Sequence, residues 1–291
     1  MIPKIIHHIA PQNKNIWHPL WQRCYDSWKI QFPDFKFILW NDEKDIDSLV
    51  KNHFNQFWST YSSFPVHIMR IDFARFCLLY KYGGIYADMD VFCYKNFYTE
   101  LDSRVHIVEA PYGDIFLENC LMVSEKDHNF WIDCMSLSQK IYNEEIAHRK
   151  FKVPFNDNKN TQRLITSATG PFLASQVWYN WRNSKDLKSL PGITYNNHGL
   201  SYLPNYRTKH LMTGMWGSES ISFLDKQNEN LQNVLGDIYI EETSKYADLN
   251  INNIDEFDFY KDYTHGGMKT EYKINYENFI PRNNNKNLNY T

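Results

Sequence analysis

The chain lacks the marks of several protein classes. Its five cysteines are an odd count with no C-x-x-C pair, which argues against a disulfide framework or a thiolate zinc knuckle. Cys24, Cys77, Cys93, Cys120 and Cys134 are therefore expected to be reduced, mostly buried thiols of a cytoplasmic protein rather than metal ligands. No apolar run approaches the roughly 18 residues that a membrane-spanning helix needs. Pro3 and Lys4 interrupt a short apolar stretch at the start, so no signal-peptide layout is predicted. The formal charge of −3 supplies no global basic field, so nucleic acid is not an expected partner. Internal repeats and interdomain linkers are also missing.

What is present suits a buried core. The 291 residues are 43% hydrophobic and 16% aromatic, enough for one large α/β domain. Apolar periodicity predicts strands at Ile2–Ile9, Phe35–Trp40 and Val105–Ala110 and helices at Trp17–Lys29, Asn129–Tyr142 and Phe172–Trp181. Phe57 to Phe64 reads as a short helix or loop, and 152–160 as a polar loop holding Pro154. From Gly192 onward, shorter strands and loops rich in Tyr, His and Asn are expected. Residues 281–291 read as a polar, frayed tail. Strands alternating with helices predict a mixed, mainly parallel sheet covered on both faces.

The richest stretch is Val66–Val91, VHIMRIDFARFCLLYKYGGIYADMDV. Met69, Phe73, Phe76 and Tyr80 recur at three- and four-residue spacing and mark one apolar helix face. Asp72 and Arg75, three apart, share another face. Gly83-Gly84 ends the helix, and Ile85-Tyr86-Ala87 begins a strand from which Asp88 and Asp90 project to one side. Paired carboxylates suit a hard cation such as Mn2+ or Mg2+. Arg75 offers a forked contact to phosphate oxygens. An isolated D-x-D reads better as a solvated turn, since acidic pairs one residue apart are common; the whole string is more specific. His7 and His8 are strand neighbours facing opposite ways, a poor chelating pair. Trp17, Trp21 and Trp28 read as core packing.

The string Ile71-Asp72-Phe73-Ala74-Arg75 with Leu79-Tyr80-Lys81-Tyr82-Gly83-Gly84-Ile85-Tyr86-Ala87-Asp88-Met89-Asp90 resembles the donor-binding core of the DXD-type glycosyltransferases of family 32. That group includes yeast-type mannosyltransferases and bacterial capsule and lipopolysaccharide sugar transferases, and the clostridial glucosylating toxins carry a related core. Ile2-Pro3-Lys4-Ile5-Ile6-His7, Phe32-Pro33-Asp34-Phe35, Leu39-Trp40-Asn41-Asp42 and Thr169-Gly170-Pro171 are similar to further family segments, and Thr264-His265-Gly266-Gly267 to a C-terminal one. The pattern departs at Ala10, where relatives often carry Trp, and after His265, where Met268-Lys269-Thr270 replaces the expected Trp.

The resemblance implies a GT-A fold spanning 1–280, with a donor-binding part over about 1–110 and an acceptor side over about 111–280. It implies a metal-dependent, retaining sugar transferase that uses a nucleotide-diphosphate sugar, a UDP-sugar ahead of GDP-mannose. The acceptor is expected to be a carbohydrate, lipid-linked or free, with peripheral membrane association compatible with a cytoplasmic enzyme. By the same resemblance, Asp72 and Arg75 contact ribose, sugar or diphosphate, and Asp88 binds ribose, sugar or metal-bound water. Asp90 is the main Mn2+ or Mg2+ ligand, and His265 a second. Ile9, Ala10 and Tyr86 fall at the nucleotide, Lys269 at the leaving diphosphate, and Asn119 near the anomeric carbon. Two other readings remain open: an inactive carbohydrate-binding scaffold on the same fold, and a haloacid dehalogenase-like phosphatase suggested by Asp88-Met89-Asp90-Val91.

Overall fold

The computed structural model describes residues 1–110, 117–148, 165–196 and 206–211. Its centre is a six-stranded sheet built from β1 (Ile5–Ala10), β2 (Lys36–Asn41), β3 (Gly84–Ala87), β5 (Val105–Glu109), β6 (Leu117–Ser124) and β7 (Leu187–Leu190). The strand order is β2-β1-β3-β6-β5-β7. β1 pairs in parallel with β2 and β3, and β5 with β7, while β6 runs antiparallel to both β3 and β5. Five strands thus share one direction and β6 opposes them, the mixed and mainly parallel sheet expected. A separate ladder joins β4 (Val91–Cys93) to β8 (Thr208–His210).

Each sheet face carries its own core. On one side α1 (Trp21–Gln31) brings Trp28, and Phe32 and Phe35 follow it, onto Ile6, Ile85, Ala87 and Val91. On the other lie α2 (Lys44–His53), α3 (Asn55–Ser62), α4 (His67–Tyr82), α5 (Asn129–Ile141) and α6 (Pro171–Asn180), packed around Phe73, Tyr86, Met122 and Trp131. Strand alternation explains the division: in β3, Ile85 and Ala87 face one core and Tyr86 the other. Phe57–Phe64 resolves in favour of helix over most of its length. Trp28 is a core residue, as expected, but Trp17 precedes α1 and packs in a small cluster with Ala10, Tyr25 and Met89. All five cysteines are buried and unbridged. Among the described residues, no helix is long and apolar enough to cross a membrane.

Helix α4 departs from the amphipathic expectation. Every residue from Asp72 to Leu79 is buried, so its polar stripe meets protein and not water. Its end follows the expectation: Gly83 and Gly84 hold φ of +62° and +97°, values that side-chain-bearing residues avoid. A Cβ on Gly84 would lie 2.5 Å from the Ile5 carbonyl oxygen, so the close approach of β3 to β1 also requires glycine there.

His7 and His8 do face opposite sides, and each ring has a structural task. His7 accepts a hydrogen bond from Trp40 Nε1 at Nδ1 (3.1 Å), so its Nε2–H donates to the Gly83 carbonyl at 2.9 Å. His8 Nδ1 donates to the Ala87 carbonyl at 2.8 Å. Together they pin both ends of β3. Burial pushes their pKa values down to about 4 and about 3, so both rings are neutral.

Candidate active site

The parallel strands β1 and β3 end side by side, at Ala10 and Ala87, and β6 enters at the same edge. Sheets of this kind leave a crevice beyond the carboxyl ends of their strands, and the acidic motif sits there. The sequence expectation placed Asp88 and Asp90 on one side of an extended strand. The structure corrects this: β3 stops at Ala87, and a tight turn closed by Val91 N–H to the Asp88 carbonyl (3.1 Å) carries both. The turn follows from its anchors. Asp88 N–H bonds to the Cys120 carbonyl of β6 at 2.9 Å. Met89 is buried with Ala10, Trp17 and Tyr25, and Trp28 Nε1 donates to the Val91 carbonyl at 2.8 Å. A buried apolar residue between two acids thus fixes which way the acids point.

Arg75 organises the site from below. Its Nη1 meets Asp72 Oδ1 at 2.7 Å and its Nη2 meets Asp88 Oδ1 at 2.9 Å. Nε donates to the Tyr86 hydroxyl at 3.0 Å, and Nη1 reaches the Asn119 carbonyl at 3.4 Å. Four of the five guanidinium N–H groups are therefore used within the protein, and the side chain is only 7% exposed. Tyr86 in turn donates to Asp88 Oδ1 at 2.7 Å. Asp72 is enclosed by Asn119 Nδ2 (3.1 Å) and the Thr169 hydroxyl (3.3 Å). Burial raises the Asp72 pKa to about 6, although Arg75 pulls against it, and raises that of Asp88 for the same reason. Arg75 is itself held above its ordinary value because Asp88, Tyr86 and Asp72 outweigh the burial that opposes its charge.

Of the residues singled out from sequence, Asp72, Arg75, Tyr86, Asp88 and Asn119 are joined in this one network. Asp90 stands beside it, 9% exposed. Ile9 and Ala10 lie at the same edge with both side chains turned into core clusters. His265 and Lys269 lie outside the described residues.

Three contributors escaped the sequence reading. Thr169 belongs to the quoted T-G-P segment, which could have flagged it; Pro171 opens α6 just after the threonine reaches Asp72. Glu118 and His210 carried no motif. His210 arrives only because β8 pairs with β4, setting it opposite Val91. Its Nε2 lies 3.3 Å from Asp90 Oδ1 and its Nδ1 3.5 Å from Glu118 Oε2. Burial disfavours charge on this imidazole, but Cys120 and Asp90 beside it more than offset that and raise its pKa.

Ligand atoms of Asp88, Asp90 and His210 all lie within 4.8 Å of one another. Two carboxylates and one imidazole form a borderline-hard donor set suited to Mn2+, with Glu118 placed to orient the ring through its second nitrogen. These residues fit the divalent cation expected from sequence. A phosphatase would need a carboxylate presented as a nucleophile; instead Asp88 Oδ1 is held by both Arg75 and Tyr86.

Residues 19–107 match the family described as the glycosyltransferase sugar-binding region containing the DXD motif. The chain is 30% identical over 195 residues to inositol phosphoceramide mannosyltransferase 3 of Schizosaccharomyces pombe, covering 65% of this chain and 48% of that protein. It is 30% identical over 230 residues to inositol phosphoceramide mannosyltransferase 1 of the same yeast, covering 77% and 65%. The chain thus spans about half to two thirds of the length of these curated relatives. A solved ligand-free glycosyltransferase domain from the YGT toxin aligns at 8% identity and a TM-score of 0.49, covering 65% of this chain and 80% of that one.

Proposed function

We propose that this chain, whose residues 19–107 match the glycosyltransferase sugar-binding region containing the DXD motif, transfers mannose from a nucleoside-diphosphate mannose to a hydroxyl of a lipid-linked sugar or polyol. The observation that carries the chemistry is the convergence of Asp88, Asp90 and His210 at one edge of the sheet. The mannosyltransferase names of the relatives support the sugar. A mannose donor keeps GDP-mannose, the second donor expected from sequence, beside the UDP-sugar.

Asp88, Asp90 and His210 would hold the divalent ion, which when bound supplies positive charge for the diphosphate. Arg75 holds Asp88 in place and balances the charge gathered around it. In the reaction the acceptor oxygen bonds to the anomeric carbon as the bond from that carbon to the diphosphate oxygen breaks. The acceptor's proton passes to the departing phosphate. Retention, which the family resemblance implies, would proceed by attack on the same face without a covalent intermediate. Asp72 is engaged by Arg75, Asn119 and Thr169, and serving as a nucleophile would strip it of all three.

Thermal stability with GDP or UDP, each with and without Mn2+, tests the proposal. A ligand at a hundredfold its Kd stabilises the native state by about 2.7 kcal/mol, a shift of several degrees. One nucleotide should produce that shift only with Mn2+, Asp90→Asn should abolish it, and the matching nucleotide-linked mannose should then be consumed by wild type. No shift with either nucleotide refutes the proposal.

A further inference from the structure

His210 faces two groups of ligands, and only one belongs to the acidic motif. On its other side are Glu118 and Cys120, two apart on β6 and so on one side of that strand. The Glu118 carboxylate, the Cys120 sulfur and an imidazole nitrogen of His210 also lie within 4.8 Å of one another. Glu118 Oε2 is 3.5 Å from His210 Nδ1 and 3.8 Å from Cys120 Sγ. Tetrahedral zinc, with bonds of about 2.0 Å to oxygen or nitrogen and about 2.3 Å to sulfur, sets ligand atoms about 3.3–3.6 Å apart. The two separations that involve Glu118 are near that spacing already. Asn196, fully buried, holds Glu118 through a 2.7 Å hydrogen bond and also contacts the Cys120 sulfur at 3.7 Å, giving the group the outer support that metal ligands ordinarily have.

The chemistry of this set differs from that of the first. A thiolate with an imidazole and one carboxylate selects zinc over manganese or magnesium. The two sets also cannot be filled independently. A neutral imidazole has one lone pair. When Nε2 binds an ion beside Asp90, Nδ1 carries the proton, on the side of the Glu118 carboxylate 3.5 Å away. When Nδ1 binds an ion beside Glu118 and Cys120, Nε2 carries the proton and no longer offers a lone pair to the motif.

We propose that Glu118, Cys120 and His210 form a second, zinc-selective site that shares its histidine with the Asp88–Asp90 site, so that zinc inhibits by taking the imidazole away from the activating cation. The thiol proton leaves to solvent as sulfur coordinates, and solvent completes the fourth position. This assigns a ligand role to a cysteine that its spacing had marked as inert. The inhibition rests on the donor-site reading above; zinc binding does not.

Cobalt(II) titration of the full chain decides the matter, because cobalt bound to a thiolate shows a near-ultraviolet charge-transfer band. One equivalent should develop the band, and zinc should displace it. Cys120→Ser should remove it, and Glu118→Gln should weaken cobalt binding roughly tenfold or more. Asp90→Asn should leave it intact. Melting curves of the metal-free variants establish that they fold. In wild type, zinc should cancel the Mn2+-dependent nucleotide shift, and in Cys120→Ser it should not. A missing band, a band that survives in Cys120→Ser, or one lost in Asp90→Asn overturns the second site. If Mn2+ and nucleotide give no shift while the cobalt band behaves as stated, the donor-site reading fails and the zinc site stands.

Discussion

Replacing Arg75 with Gln isolates the electrostatic logic of the site. The guanidinium holds two buried carboxylates, Asp72 at 2.7 Å and Asp88 at 2.9 Å. Removing one partner of a buried ion pair costs about 3–5 kcal/mol, because the remaining charge is left without compensation. The cost should depend on pH, and its sign follows from linkage. Even with Arg75 present, burial raises Asp72 from 3.8 to about 6 and moves Asp88 upward as well. Without Arg75 both rise further. An acid whose folded pKa is raised keeps the native state's full stability below its unfolded value and loses it as pH climbs through the folded one. Urea unfolding of wild type and Arg75→Gln at about pH 7.5 and about pH 5 should give a deficit of about 3–5 kcal/mol at the higher pH and roughly half of it at the lower. Equal deficits at both pH values, or one below about 1 kcal/mol at the higher, would refute the view that Arg75 acts as the counter-charge of Asp72 and Asp88.

Two further outcomes test the frame around the site. His8 has a pKa lowered from 6.5 to about 3 by burial, so its contribution to stability is present above 6.5 and is lost as pH falls. His8→Gln keeps a donor for Ala87 without titrating, and its stability should decline by about 2 kcal/mol less than wild type between pH 6.5 and about pH 5; parallel profiles would show that His8 is not held neutral. Gly84→Ala places a methyl group 2.5 Å from the Ile5 carbonyl oxygen at a φ of +97°, and should cost at least about 2 kcal/mol in denaturant unfolding; a neutral outcome would mean that β1 and β3 can move apart.

The acidic-motif half was legible because its information is local. The helix, the glycine pair and the two acids occupy one run of the sequence, and helix period, glycine conformation and residue chemistry all act over a few positions. Even there the polar stripe of α4 could not be assigned to water or to protein from its spacing alone, since Asp72 and Arg75 are buried by chain that arrives later. The antiparallel course of β6 went unread: a run such as Leu117–Ser124 is compatible with either direction, and its hydrogen bonds to β3 decide between them. His210 was the least accessible. Nothing near Thr208–His210 distinguishes this histidine from the others, and only a pairing across more than a hundred residues brings it to Asp90.

That pairing is a three-rung ladder, extended by Leu211 N–H to the Asp90 carbonyl at 2.9 Å. It acts as a clasp, because any opening of β8 from β4 carries an imidazole away from the proposed cation site. Occupancy and closure must then reinforce each other reciprocally: an ion held by His210 raises the free energy needed to open the ladder. The amides of the ladder, Leu211 among them, should consequently exchange with heavy water more slowly when the ion is bound, making these backbone protons reporters of a metal they never touch.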